Sequence, residues 1–160
     1  MPPADEQFFA EARRMAKAST CLRGEHTGAV IVLNGAIIGI GAPACSPHGE
    51  LYGTPVQHCP RDACDAKTGE CYELCNPIHA EEAALFSALT TLWHLKCSWA
   101  AKDQPWSPNQ LASATLYLTG HYYPCWRCVA VLRYAGITDI RIDPETARIN
   151  PNCHHRPPES

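Results

Sequence analysis

Two short segments carry the side chains whose types and spacing could do chemistry. The first is NPIHAEEAAL at residues 76–85, where His79 and Glu81 stand at the start of an alanine-rich stretch with helical composition. The second is PCWRC, in which Cys125 and Cys128 lie three residues apart at the opening of another predicted helix. Residues three apart share one face of a helix, and the positive end of the helix dipole favours thiolates. The two sulfurs therefore predict a metal-binding pair.

His79 supplies a third ligand if the two helix starts meet. One imidazole and two thiolates make three protein ligands for zinc, and they leave the fourth tetrahedral position for water. Zinc lowers the pKa of a bound water, so that a nucleophile becomes available near neutral pH. A nearby carboxylate must then move the proton, and we assign that role to Glu81. Glu82 is the alternative base, because it would share the face of His79 in a regular helix.

Each of these residues also has a purely structural interpretation. A histidine at a helix start is often a capping or surface residue, and Glu81 and Glu82 could simply complement the helix dipole. A lone Cys-x-x-Cys pair is equally typical of a redox site or of half of a closed structural zinc site. The combination favours catalytic zinc, because each segment supplies the ligands that the other lacks.

The elements predicted around these segments alternate between helices and strands. A helix is predicted over residues 5–18 and a hairpin over 27–42, with the turn at Asn34-Gly35 because this pair suits positive φ angles. The remaining elements are helices over 79–95 and 124–136, strands over 114–118 and 137–142, and a proline-broken loop over 102–110. Strands separated by helices predict an α/β arrangement with helices on both faces of the sheet.

Length and composition predict one domain. The chain has 160 residues, 46% of them hydrophobic, which suffices for one domain with a core. We expect this domain over residues 1–150, with a Cys/His-rich insert at 43–77 and a flexible tail at 151–160. The net charge of −3 and the lack of Lys/Arg runs argue against long nucleic acid as a partner. No apolar stretch could span a bilayer and no export signal precedes the first helix, so a cytoplasmic protein is expected.

The ten cysteines have two interpretations, a disulfide framework or thiolates on metal. Without an export signal, metal binding is the more consistent of the two. The insert at 43–77 is dominated by Gly, Pro, Cys and His, and it has too little apolar surface to fold by burial alone. A metal ion bound within the insert would stabilise it.

The combined pattern His79-x-Glu81 followed by Pro124-Cys125-x-x-Cys128 is the signature of zinc-dependent deaminases. From about Cys21 to Asp143 the chain resembles the cytidine and deoxycytidylate deaminase superfamily, and within it the dCMP deaminases of phages and bacteria. Weaker matches are Cys21-Leu22-Arg23, Gly28-Ala29-Val30, Gly41-Ala42-Pro43, His58-Cys59, Cys75 before His79, and Gly136-Ile137. The resemblance implies a three-layer α/β/α sandwich around a central mixed sheet of five strands, four of which are evident here.

The resemblance also implies a second, structural zinc ion and a homo-oligomer such as a hexamer. The expected ligands of the second ion are Cys21, Cys59, Cys64 and Cys75, with Cys71 and Cys45 as substitutes. The alternative is that these cysteines are free thiols in a loop.

The implied reaction is hydrolytic deamination of the nucleotide dCMP to dUMP and ammonia. Ile40 and Ala83 stand where the superfamily has asparagines, and aliphatic side chains cannot hydrogen-bond a sugar. A modified nucleoside or a free base is therefore the alternative substrate, ahead of single-stranded nucleic acid or a non-catalytic zinc module. Substrate-binding candidates are Arg23 and Arg61 for a phosphate, and Asn76 and Tyr123, the latter in the insert Gly120-His121-Tyr122-Tyr123, for sugar and base.

Overall fold

A mixed four-stranded sheet with three helices organises the described part of the chain. The structure, a computed structural model, describes residues 3–19, 26–43, 61, 64–66, 70–71, 78–98, 108–121 and 123–146. In chain order the elements are α1 (Pro3–Ala16), β1 (Gly28–Leu33), β2 (Ala36–Gly41), α2 (Ala80–Ser98), a 3-10 turn (Pro108–Leu111), β3 (Thr115–Thr119), α3 (Trp126–Tyr134) and β4 (Asp139–Ile142). The α/β class predicted from the sequence is confirmed.

The strand order is β2-β1-β3-β4. β1 runs antiparallel to both β2 and β3, whereas β3 and β4 are parallel and are joined through α3. The predicted hairpin of β1 and β2 is present, and its turn has positive φ angles of 51° at Asn34 and 78° at Gly35. These angles are the ones an Asn-Gly turn accommodates, so local sequence determines this corner of the sheet.

The two faces of β1 pack against different helices. Val30 and Val32 pack with Phe8, Phe9, Ala12 and Tyr117 in a cluster on the α1 side. Ala29 and Ile31 pack on the opposite side, in a larger cluster that includes residues of α2, β3 and α3. Successive side chains of a strand point to opposite faces. The nearly unbroken apolar run of β1 is therefore covered twice, and the architecture has three layers.

Small residues hold α2 close to the hairpin. Ala80, Ala84 and Ala88 recur every four residues and are fully buried against the sheet. A Cβ atom at Gly39 or Gly41 of β2 would collide with the α2 backbone carbonyls of Ala84 and Ala80. This close approach places the first turn of α2 directly over the end of β2.

Several sequence predictions fall outside the described residues. Most of the insert at 43–77, part of the 102–110 loop and all of the 151–160 tail belong to this group. The described sheet has four strands, so the fifth strand implied by the resemblance is not among the described residues. None of the described helices combines the length and the apolar character that crossing a bilayer requires.

Candidate active site

Two helix starts meet on the α2 and α3 side of the sheet. His79 directly precedes the first residue of α2, and Cys125 is the N-cap of α3, with Cys128 one turn further on. Cys125 has extended backbone angles, and no side chain caps the helix hydrogen-bonding groups there. The positive end of the α3 dipole is therefore available to stabilise negative sulfur.

The three predicted ligands converge. The Sγ atoms of Cys125 and Cys128 each lie 3.4 Å from Nδ1 of His79. All three ligand atoms lie within 4.8 Å of one another. Among the described residues, this is the group of three or more possible ligands that could hold a metal ion. Neither sulfur is in a disulfide.

The spacing of these atoms fits zinc. A tetrahedral ion with bonds of about 2.3 Å to sulfur and about 2.0–2.1 Å to nitrogen separates such atoms by about 3.5 Å. The observed 3.4 Å from Nδ1 to each Sγ agrees with this value. An imidazole and two thiolates are also ligands that zinc prefers. His79, Cys125 and Cys128 are thus positioned to bind one zinc ion.

The two thiols differ in proton affinity. A hydrogen bond from Cys128 and contacts with His79 lower the pKa of Cys125 to about 4, against the opposing effect of burial. The pKa of Cys128 is raised, because it donates that bond and is itself buried among negative groups. The pair therefore shares one proton, and a cation bound between the sulfurs would displace it.

The adjacent glutamates at the start of α2 have different surroundings. Glu81 is buried at 5% exposure and lies beside His79 and Cys125. Burial raises the pKa of its carboxyl, and the neighbouring His79 imidazole partly opposes that effect. Glu82 accepts a hydrogen bond of 3.1 Å from the backbone N–H of His79 and one of 2.9 Å from Arg127. The carboxylate of Glu82 is thus committed to backbone and arginine, whereas that of Glu81 faces the cavity.

A small cavity of about 30 Å³ opens beside the ligands. Its lining consists of Thr27, Pro43, His79, Ala80, Glu81, His121 and Cys125. The Nδ1 atom of His121 lies 2.7 Å from the carbonyl oxygen of Tyr123, so this nitrogen carries the proton and donates it. Sequence reasoning missed Thr27 and His121 as cavity residues, although the unusual insert before Pro124 pointed to the segment that contains His121.

The other predicted site residues lie elsewhere or outside the described residues. Tyr123 is half-buried, and its backbone carbonyl supports His121. Arg61 is 1% exposed and is not among the residues lining the cavity. Cys64 is exposed and Cys71 half-buried. The remaining candidates, Cys21, Arg23, Cys45, Cys59, Cys75 and Asn76, lie outside the described residues.

Fold and site together define an α/β domain with three residues positioned to bind zinc and a buried acid beside them. The chain belongs to the cytidine and deoxycytidylate deaminase family, because the family model for the cytidine and deoxycytidylate deaminase zinc-binding region matches residues 2–143. The search of curated protein sequences found no match.

Solved structures that resemble this chain include those of several deaminases. The dCMP deaminase of cyanophage S-TIM5 in apo form superposes with a TM-score of 0.50 at 20% identity, covering 89% of this chain and 83% of that chain. A structure from a study of tRNA:A34 deaminases has a TM-score of 0.48 at 21% identity, with coverages of 96% and 95%. Guanine deaminase from Bacillus subtilis has a TM-score of 0.47 at 21% identity, with coverages of 86% and 62%. The first of these supports the deaminase fold.

Proposed function

We propose that this protein is a zinc-dependent hydrolytic deaminase of a cytosine nucleotide, with dCMP converted to dUMP and ammonia. The observation that carries the proposal is the buried carboxylate of Glu81 in one cavity with His79 and Cys125. Membership of the deaminase family supports hydrolysis as the reaction class. The choice of dCMP rests on the sequence resemblance described above.

In this proposal His79, Cys125 and Cys128 hold the zinc ion. Zinc, when bound, supplies the Lewis acidity that lowers the pKa of water to about 7 and so makes it a nucleophile. The three ligands lie at the starts of two helices that pack on the sheet, and this packing fixes their positions relative to the cavity.

Glu81 moves the protons. It takes one proton from the attacking water and delivers it to ring N3, while the water oxygen forms a bond to C4. It then transfers the second proton of that water to the amine, the C4–N bond breaks, and ammonia leaves. The ring gains one oxygen and loses one amine, so the product is the uracil form. Because Glu81 is buried, bulk water does not compete for its protons.

The alternative function is deamination of a modified nucleoside or a free base. Its basis is that Ile40 and Ala83 stand where the superfamily has asparagines. The Ile40 side chain packs with the cluster under α1. Neither Ile40 nor Ala83 is among the residues lining the cavity. Thr27 and His121 are the polar side chains there, besides Glu81 and His79, that could contact a substrate. The phosphate-binding roles of Arg23 and Arg61 stay predictions, as does the second zinc ion.

Ammonia release from a matched panel tests the substrate. Zinc-loaded protein is given dCMP, CMP, deoxycytidine, cytosine, guanine and a cytosine-containing single-stranded oligonucleotide. We expect the highest kcat/KM for dCMP, and a loss of at least about tenfold for deoxycytidine, since one charge-assisted contact to the phosphate contributes about 1.4 kcal/mol or more. Indifference to the 5′-phosphate would contradict the nucleotide assignment, and faster turnover of a free base would support the alternative.

A homo-oligomer is part of the same proposal. Phe86 and Trp93 of α2 are each 60% exposed, and a second copy would cover such side chains. Light scattering at micromolar concentration checks this. A monomer at all concentrations would contradict it.

A further inference from the structure

An ion pair joins the two helix starts that carry the metal ligands. Nη2 of Arg127 donates to Oε2 of Glu82 at 2.9 Å. The same oxygen accepts the backbone N–H of His79 at 3.1 Å. Arg127 lies between Cys125 and Cys128 in the chain, and Glu82 lies three residues after His79. One carboxylate oxygen thus contacts the backbone of one ligand and the side chain next to the other two.

We propose that Glu82 and Arg127 are positioning residues for the metal site, which hold His79 at the distance from Cys125 and Cys128 that zinc requires. Neither residue is a ligand or touches the substrate in this proposal. Glu82 and Arg127 are 45 residues apart in the chain, and their role is to set the separation of the two helix starts.

The location of Glu82 explains how it can do this. It is the third helical residue of α2, and His79 precedes the helix, so the Glu82 side chain reaches back to the His79 N–H as in one half of a capping box. This bond orders the backbone of the ligand itself. The N-terminal end of α2 also favours the negative charge of Glu82. The hydrogen bond and the helix dipole therefore both hold this carboxylate in place.

Arg127 connects Glu82 to the start of α3, where the two cysteines lie. Its guanidinium is planar and carries its donors in fixed directions, so one ion pair restrains both angle and distance. Among the described residues Nε of Arg127 is buried without a hydrogen-bond partner. Glu82 is therefore the group that orients this guanidinium.

The pair formed by Arg14 and Glu11 provides an internal contrast. It joins neighbours on one helix at 2.6 Å, and the Arg14 side chain is 63% exposed. In the pair formed by Arg127 and Glu82 the side chains are 34% and 16% exposed, and the pair connects two different helices. An exposed ion pair within one helix contributes little to stability and does not fix the position of any other element. Groups that orient metal ligands typically change metal affinity by about 10–100-fold when removed.

Zinc affinity tests the proposal without reference to deamination. Zinc dissociation constants are measured by chelator competition for wild type, Glu82→Gln, Arg127→Met and the double variant. The ion lost in Cys128→Ala identifies the site being measured. We expect each single variant to weaken zinc binding by about 10–100-fold, and the double variant to be little worse than either single one. Glu82→Gln keeps an oxygen acceptor for the His79 N–H, so it isolates the loss of the ion pair.

Control variants separate positioning from general stability. Glu11→Gln and Arg14→Met should leave the zinc dissociation constant within about twofold of wild type. Arg127→Lys, which keeps the charge, should recover part of the affinity lost in Arg127→Met, and it serves in the comparison if Arg127→Met does not fold. Unchanged zinc affinity in Glu82→Gln and the Arg127 variants would overturn the proposal. So would a double variant whose loss is the full product of the single losses, because independent residues act in that way.

Discussion

Glu81 and Asp143 are both buried acids, but their carboxyl groups differ in the number of hydrogen bonds that they accept. Asp143, just after β4, is fully buried and accepts two hydrogen bonds from Arg13, at 2.7 and 3.0 Å. It also accepts from the hydroxyls of Thr119 and Thr146 and from the backbone N–H of Glu145. Among the described residues no other side chain donates a hydrogen bond to Glu81. The His79 imidazole is the neighbouring side chain that most opposes the effect of burial on the pKa of Glu81.

This difference appears in the proton affinity of the two groups. Burial raises the pKa of both carboxyls, but the bonds from Arg13, Thr119 and their neighbours overcome that effect and lower the pKa of Asp143. At Glu81 burial dominates, and the pKa is raised. A fully satisfied carboxylate stabilises the fold and keeps its charge. A carboxylate with few partners costs stability and remains able to exchange protons, as chemistry requires.

The largest effect is expected at Glu81. Glu81→Gln keeps the size of the side chain but cannot carry protons, so kcat for ammonia release should fall by about 10²–10⁴-fold. Zinc content and the far-UV circular dichroism spectrum should match those of wild type, because Glu81 is not a ligand in this account. Assays at equal zinc occupancy measure this. A fully active variant would remove Glu81 from the mechanism and leave the metal site without its base.

The next largest effect is expected at Asp143, and on a different quantity. Asp143→Asn breaks the pair with Arg13 and should lower the free energy of unfolding by about 3 kcal/mol. The corresponding fall in Tm is about 6–12 °C. Below that temperature kcat should stay within about twofold of wild type, since Asp143 lies outside the cavity. Thermal melts test the predicted loss of stability, and ammonia assays at 20 °C test the predicted kcat. A variant that is stable but inactive would show that Asp143 serves the reaction and not the fold.

A smaller effect of Asp143 is expected on how the stability of the protein depends on pH. The pKa of Asp143 in the folded protein is lower than its ordinary value of 3.8. Its contribution to stability is therefore complete above that value and is lost as the pH falls below it, through the lowered pKa. Urea unfolding at pH 5 and pH 3 should show a smaller pH-dependent loss of stability for Asp143→Asn than for wild type. An equal loss in both proteins would mean that other groups control acid stability.

The smallest effect is expected on the exposed surface of α1. Glu11→Gln removes the bond to Arg14, and the free energy of unfolding should change by no more than about 0.5 kcal/mol. Denaturant titration measures the difference. A change as large as that of Asp143→Asn would show that exposure is a poor guide to the value of ion pairs in this protein.

The elements near the site could be predicted from sequence because their signals are local. Asn34-Gly35 fixes the hairpin through two residues, and the spacing of Cys125 and Cys128 places both sulfurs on one face of α3. His79 and Glu81 stand where the motif indicated, at the start of α2. Each of these predictions depends on contacts within a few residues.

The features that sequence missed depend on distant contacts. Arg13 meets Asp143 across 130 residues, and the order β2-β1-β3-β4 brings them together. The same is true of Arg127 and Glu82, and of Thr27 and His121 in the cavity. No periodicity or spacing along the chain encodes these pairs, since they follow from how strands pair and helices pack.

Anomalous diffraction at the zinc edge on crystals of the full chain tests the central claim most directly. The account predicts a peak bonded to Nδ1 of His79 and to the Sγ atoms of Cys125 and Cys128, at about 2.0–2.1 Å and 2.3 Å, with the Glu81 carboxylate facing it. Crystals that show these two sulfurs joined as a disulfide, or a zinc peak that lies away from His79, would contradict it.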